Sequence, residues 1–325
     1  MRKRDFIALL GGAAAAWPLG IKAQQPAMPV IGFLRSASLG DATLRVAEFR
    51  RGLKEAGYIE GQNVAIEFHS AENRLDRLQA MVADLIHRPV AVIVGNIDSA
   101  LAAKAATTTV PIVFVTGSDP VRAGLVVSLN RPGGNVTGVH FFTGVLGAKR
   151  LQLLRQLTPQ ARTIAMLVHP GTPNTEAERR DVEAAAQTIG QQLIVLDAAS
   201  EREIDAAFAT FVQRGADALL CGSGPFMTAQ RSQLIALAAR HRLPACYHVR
   251  EVVADGGLMS YGASIADGYR QVGIYAGRIL KGEKPSDLPV QLVTKVELII
   301  NMKAAKLLGR EFSSSLVSGA DEVIE

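Results

Sequence analysis

The hydrophobic positions of this chain switch between two periods. Short β-branched and aliphatic runs of four or five residues alternate with longer segments in which apolar residues recur every three or four positions. Runs at 30–33, 64–68, 90–94, 112–115 and 136–139 read as strands, with helices predicted over 42–56, 74–87 and 99–107. A second series follows a helix at 146–157. Its strands are predicted at 164–168, 193–196, 218–221, 245–247 and 258–261, and its helices at 175–189, 201–214 and 228–242. Val90-Ala91-Val92-Ile93-Val94 is apolar throughout, as a strand covered on both faces requires. Repeated strand–helix–strand units build parallel sheets with helices on both sides, so two series predict an α/β fold of two doubly wound parallel-sheet lobes.

The end of the chain changes this division. A helix at 267–281, a strand at 297–300 and a short helix at 302–308 flank the turn-rich stretch Lys284-Pro285-Ser286-Asp287-Leu288-Pro289. The chain is therefore expected to cross between lobes near 139–143, 262–266 and 290–295, forming a hinge. The first lobe then comprises 28–139 with 264–292, and the second 140–263 with 293–325.

Before the first strand, Arg2, Lys3 and Arg4 precede an apolar run that ends at Ile21-Lys22-Ala23. A basic cluster, an apolar segment and a small residue at the cut read as an export signal over 1–23. Gly11, Gly12 and Pro18 interrupt the run, which falls short of the roughly 20 residues that span a bilayer. Lys3-Arg4-Asp5-Phe6-Ile7 is similar to a twin-arginine motif with Lys in the first place, and no cysteine lies near the cut. These features predict a soluble periplasmic protein. The signal carries four basic residues and one acid, so removing it takes 35 basic and 30 acidic residues to 31 and 29. A net charge of +2 gives no electrostatic case for nucleic acid. The two cysteines, Cys221 and Cys246, each adjoin an apolar run and read as buried thiols; a disulfide would need neighbouring strands with suitable spacing.

Ligands of open parallel sheets bind beyond the carboxyl ends of the strands. In the first series those ends carry Arg35-Ser36-Ala37-Ser38, Gly95-Asn96-Ile97-Asp98-Ser99 and Thr116-Gly117-Ser118-Asp119. In the second they carry His169-Pro170-Gly171-Thr172-Pro173-Asn174, Gly222-Ser223-Gly224, Tyr247-His248 and Tyr261-Gly262-Ala263-Ser264. The candidate ligand-binding residues are therefore Ser36, Asn96, Ser99, Thr116, Asp119, His169, Asn174, Ser223, Tyr247 and Tyr261. Hydroxyls, amides and helix-terminal N–H groups suit a carboxylate, Asp119 suits an ammonium, and Tyr247 and Tyr261 offer flat walls. This set favours a small zwitterion such as an amino acid. The same residue types also cap helices and shape turns, which is the structural alternative for each. No phosphate loop, dinucleotide fingerprint or His-Glu-x-x-His occurs, and Gly222-Ser223-Gly224 lacks nucleophile-elbow spacing. Binding is expected rather than catalysis, with no cofactor and no metal.

Several stretches carry a resemblance. They are Asp119-Pro120-Val121, Leu129-Asn130-Arg131-Pro132-Gly133-Gly134-Asn135-Val136-Thr137-Gly138, Arg278-Ile279-Leu280-Lys281-Gly282, Leu298-Ile299-Ile300-Asn301 and Ala320-Asp321-Glu322-Val323-Ile324. Together they resemble the ABC-transporter substrate-binding family that includes the tryptophan/tyrosine-type binding proteins. The resemblance implies a type I periplasmic-binding fold with three crossings, a monomer that delivers ligand to a membrane permease and ATPase, and an aromatic amino acid as ligand. It also implies that Asn96, Ser99 and Thr116 fall where related folds hold an amino-acid carboxylate, with Asp119 nearby. An exported sensor and an exported enzyme on the same scaffold are the competing readings.

Overall fold

The computed structural model describes residues 28–37, 43–72, 74–141, 146–171 and 173–325. The predicted signal over 1–23, Ser38, Phe142 and Thr172 lie outside the described residues.

Parallel pairing joins β1 (Val30–Arg35), β2 (Ala65–Ser70), β3 (Val90–Asn96), β4 (Ile112–Thr116) and β5 (Val136–Phe141) with a late strand, β11 (Gln291–Val293). The sheet order is β11-β5-β4-β3-β1-β2. Alternation along each strand divides the core in two. Val92, Val94, Val113 and Val115 face Phe49 and Leu53 of α1 (Thr43–Glu55) and Val272 of α10 (Ile265–Leu280). Ile93, Ile112 and Phe114 face Val82 and Leu85 of α2 (Leu78–His87) and Ala100 and Ala103 of α3 (Ile97–Ala106). Small residues let α1 and α10 approach closely: a Cβ at Gly273 would lie 2.2 Å from the Phe49 carbonyl oxygen.

The second sheet contains β6 (Thr163–Val168), β7 (Gln192–Asp197), β8 (Ala218–Cys221), β9 (Ala245–Tyr247), β10 (Met259–Ala263), β12 (Val296–Asn301) and β13 (Glu322–Ile324). Its order is β13-β12-β10-β9-β8-β6-β7. On one face Met166, Leu220 and Met259 pack with Leu151 and Leu154 of α4 (Gly147–Leu157) and Val182 of α5 (Pro173–Thr188). On the other, Leu167, Leu219 and Cys221 pack with Phe208 of α6 (Glu201–Gln213) and Leu234 of α8 (Arg231–Arg240).

The chain passes between the sheets three times: from β5 to α4, from β10 to α10 and from β11 to β12. Every strand of the first sheet, and β6 to β10, runs its carboxyl end toward these crossings. At the first two, a helix reverses the chain before the next strand. At the third, only Thr294 and Lys295 intervene, so β12 enters its sheet from the opposite end and pairs antiparallel with β10. The second sheet is thus parallel in its other pairings, with this one antiparallel pair. The Ser264 N–H donates to the Lys295 carbonyl at 2.9 Å, tying the second and third crossings together. Ile265, between them, packs against cores of both lobes.

Other departures from the sequence reading have local causes. The helix predicted over 228–242 is two, α7 (Pro225–Ala229) and α8, because Pro225 starts a separate first turn and Gln230 lies between them. Strands β11 and β13 and the helices α9 (Arg250–Ala254) and α12 (Ser314–Ser318), unlike the short α11 (Met302–Leu307), were not expected; they have three to five residues each, too few to display a period. The expected lobe boundaries at 139/140 and 292/293 cut β5 and β11, whose backbone pairing extends through Phe141 and Val293.

Cys221 and Cys246 lie on adjacent strands but on opposite faces. Cys246 pairs in register with Leu220 and shares its core, whereas Cys221 packs with Leu219 and Tyr247 on the other side. Both are free thiols, and burial pushes Cys246 up to about 12 and Cys221 higher still. A thiol-reactive dye should label neither cysteine in the native protein and both after denaturation without reductant; a single disulfide found by mass spectrometry would contradict this arrangement.

Candidate functional site

The carboxyl edge of the first sheet carries a closed polar network. The Asn96 Oδ1 accepts from the Ser36 N–H at 3.0 Å and from the Ser99 hydroxyl at 2.8 Å. The Asn96 Nδ2 donates to the Ser36 Oγ at 2.6 Å, and the Ser36 hydroxyl donates to Asp98 Oδ2 at 2.9 Å. The donors of Ser36, Asn96 and Ser99 are thus spent on one another, and the network ends in a carboxylate. Asp98, only two residues past Asn96, is a member the sequence reading did not select. Its negative charge opposes the expected capture of a ligand carboxylate at Asn96 and Ser99, and Ser99 is fully buried.

Thr116 is also buried, where its hydroxyl accepts from the Ser118 N–H at 2.9 Å and closes a turn. Asp119 caps the next turn, its Oδ1 accepting from the Val121 and Arg122 N–H groups at 2.9 and 3.1 Å. Both adopt the structural alternative open to Thr and Asp at turns. His140, near the end of β5, is buried; desolvation lowers its pKa, against the opposing influence of Asp119 and of a hydrogen bond with the Gly117 backbone.

On the second lobe, a buried ion pair organises the strand ends. Arg150 of α4 donates through Nη2 to Glu178 of α5, with side-chain exposures of 0% and 1%. The same Nη2 reaches the Ser223 Oγ at 2.9 Å, and Nη1 reaches the Tyr261 carbonyl at 3.3 Å. Glu178 in turn accepts from the Ser223 N–H at 2.9 Å. Ser223 is therefore held by this pair rather than left to a ligand. Beside it, His248 Nε2 accepts from the Gly224 N–H at 3.2 Å and lies 3.1 Å from the Thr228 hydroxyl. Burial and the Arg150 charge lower its pKa to about 3, so the ring is neutral.

Neither expected tyrosine forms a wall at these strand ends. Tyr247, the last residue of β9, is 2% exposed in the core on the α6 and α8 side of the second sheet. Tyr261 faces the α4 side of the second sheet, lining a pocket of about 320 Å³ with Lys149, Leu153, Leu298 and Asp321. Another groove, of about 520 Å³, lies between α4 and α5. The aromatic surface beside the strand ends is instead His169 against Phe226, both half-buried, with ring centroids 4.7 Å apart. Phe226 sits just past the Gly222-Ser223-Gly224 turn, and that position was its available signal.

Among the described residues, side-chain contacts bridge the lobes. The Asn174 Nδ2 donates to the Gly117 carbonyl at 2.8 Å, and Arg45 of α1 lies 3.4 Å from Glu251 of α9. The two carboxyl edges thus face each other. Among the described residues no group of His, Cys, Asp and Glu is arranged to hold a metal ion.

Glu178→Ala should destabilise the protein by about 3–5 kcal/mol in denaturant titrations, because it strands the buried Arg150 charge, while replacing both partners with apolar residues should cost less. His248 adds a pH dependence. Between the ordinary value of 6.5 and about 3, the unfolded chain binds a proton that native His248 refuses. Stability should fall as pH drops through this window, by up to about 1.4 kcal/mol per pH unit. Melting curves of His248→Gln, which keeps an acceptor for Gly224, should lose that component.

Comparison with known proteins agrees with this architecture. The Tyrosine-binding protein of Clostridioides difficile (strain R20291) is 27% identical over 265 residues, 80% of this chain and 75% of that protein. The crystal structure of an ABC domain in complex with L-Trp from Streptococcus pneumoniae is 26% identical, with a TM-score of 0.80, covering 91% of this chain and 99% of that one. The ligand-free, open structure of a substrate-binding protein with adhesive properties from Clostridium difficile is 25% identical at the same coverage, with a TM-score of 0.70. Residues 31–324 match the family described as ABC transporter substrate binding protein, and the chain belongs to that family.

Proposed function

We propose that this protein is the periplasmic receptor of an ABC importer, capturing an aromatic amino acid between its lobes and presenting it to a membrane permease and ATPase. The observation that carries the reading is the pairing of two strand-end edges across lobe-spanning contacts, Asn174 to Gly117 and Arg45 to Glu251. Relatives that bind tyrosine and L-Trp support the ligand class. The higher similarity to the L-Trp complex than to the open ligand-free structure, at equal coverage, supports reading the bridged arrangement as the closed state.

In this reading the lobes meet at the three crossings and swing about them, and ligand binding favours the closed form because only there do both edges contact it. The first lobe contributes Ser36, Asn96 and Asp98, the second His169, Asn174 and Phe226. Phe226 and His169 take the role first assigned to Tyr247 and Tyr261, stacking against a flat side chain. The chemistry needed is recognition alone, and the neutral His248 and the Arg150–Glu178 pair serve as fixed supports behind the second edge.

Calorimetry should detect binding of L-tyrosine or L-tryptophan, with compaction on saturation in small-angle scattering. Phe226→Ala should weaken binding by about 1–3 kcal/mol without altering the melting temperature of the unliganded protein appreciably. Retention of a neutral sugar, or an unchanged radius of gyration at saturation, would contradict the reading.

A further inference from the structure

Besides Glu178, which is paired with Arg150, the carboxylates near the strand-end edges include Asp98, Asp119 and Glu251, and their hydrogen bonds distinguish them. Asp119 spends one oxygen on two backbone N–H groups and faces Arg122 with the other. Asp98 Oδ2 accepts from both Ser36 and Asn96 within the closed network. Glu251 differs. Its Oε1 lies 3.4 Å from Arg45 of the opposite lobe, while its Oε2 is buried and has no hydrogen-bond partner among the described residues. The side chains of Arg45 and Glu251 are only 14% and 20% exposed, so this oxygen is withdrawn from bulk solvent. A buried carboxylate oxygen without a donor is costly, and sites of that kind call for a specific partner.

The position of the pair narrows that partner. Arg45 lies in the first turn of α1, the helix that follows β1, and Glu251 in α9, which follows β9. Both helices start at carboxyl edges, so the pair spans the two lobes. One charge comes from each lobe.

Resting on the amino-acid reading above, we propose that Glu251 is the acceptor for the ligand's ammonium and a determinant of specificity. Its Oε2 takes the ammonium while its Oε1 keeps Arg45, so a single carboxylate links recognition of the cation to closure of the lobes. An ammonium added to the pair leaves one excess positive charge, which the ligand's own carboxylate balances. The site therefore selects a zwitterion over a simple amine or a simple acid. Asp119, the acceptor expected from sequence, has no part in it.

The test compares L-tyrosine, its des-amino analogue 3-(4-hydroxyphenyl)propionate and tyramine on the wild type, Glu251→Gln and Glu251→Asp, by calorimetry. The wild type should prefer L-tyrosine to both analogues. Glu251→Gln should weaken L-tyrosine at least about 10-fold more than the des-amino analogue, whose smaller loss reports the Arg45 contact alone. Glu251→Asp, which keeps the charge on a shorter arm, should fall between and carries the test if the Gln variant does not fold. Equal losses for L-tyrosine and its des-amino analogue, or no loss for either, would overturn the assignment while leaving the receptor reading intact. A wild type that binds no aromatic amino acid would overturn the receptor reading, and this assignment with it.

Discussion

Parallel pairing sends the carboxyl end of every strand in a sheet to the same edge, and here the two such edges are joined by the three crossings. That constraint places the turns after β1, β3 and β4 opposite those after β6, β8 and β9. It also explains the antiparallel β12: a chain that crosses without an intervening helix enters the second sheet from the crossing side. The second and third crossings are hydrogen-bonded to each other at Ser264 and Lys295, so these two are coupled rather than independent.

The interior charges follow from the same geometry. Arg150 and Glu178 come from two helices on one face of the second sheet, and their heads meet just behind the turn carrying Ser223. A buried pair of this kind contributes little net stability compared with apolar packing, but it is strongly directional. Its directionality fixes the Ser223 turn and the start of α5, and the Asn174 that bridges to Gly117 lies one helical turn before Glu178. The side chain that touches the other lobe is thus anchored by one that does not.

The two lobes divide their polar chemistry unequally. The first lobe's network closes on itself around Asp98, whereas the second presents an aromatic pair and a carboxylate with one unspent oxygen. In the proposed reading, charge selection and side-chain selection fall mainly to the second lobe, and the first supplies Arg45 and a polar floor.

The sequence by itself determined the α/β class and the two strand–helix series, because runs of 4–6 apolar residues and 3.6-residue periodicity are local signals. It also located the strand ends, since turn chemistry marks them. Tertiary structure alone decided what those residues do. Asn96, Ser99 and Ser36 look like free donors in sequence but consume one another once β1 and β3 are neighbours. Tyr247 and Tyr261 look alike in sequence, yet one packs in the core and the other lines a pocket on the α4 side, because strand register and helix placement decide which face each meets. Short β11 and the Arg45–Glu251 pair, with about 200 residues between its members, leave no local trace. Contacts of that separation exist only after both sheets have formed, so a local pattern carries no record of them.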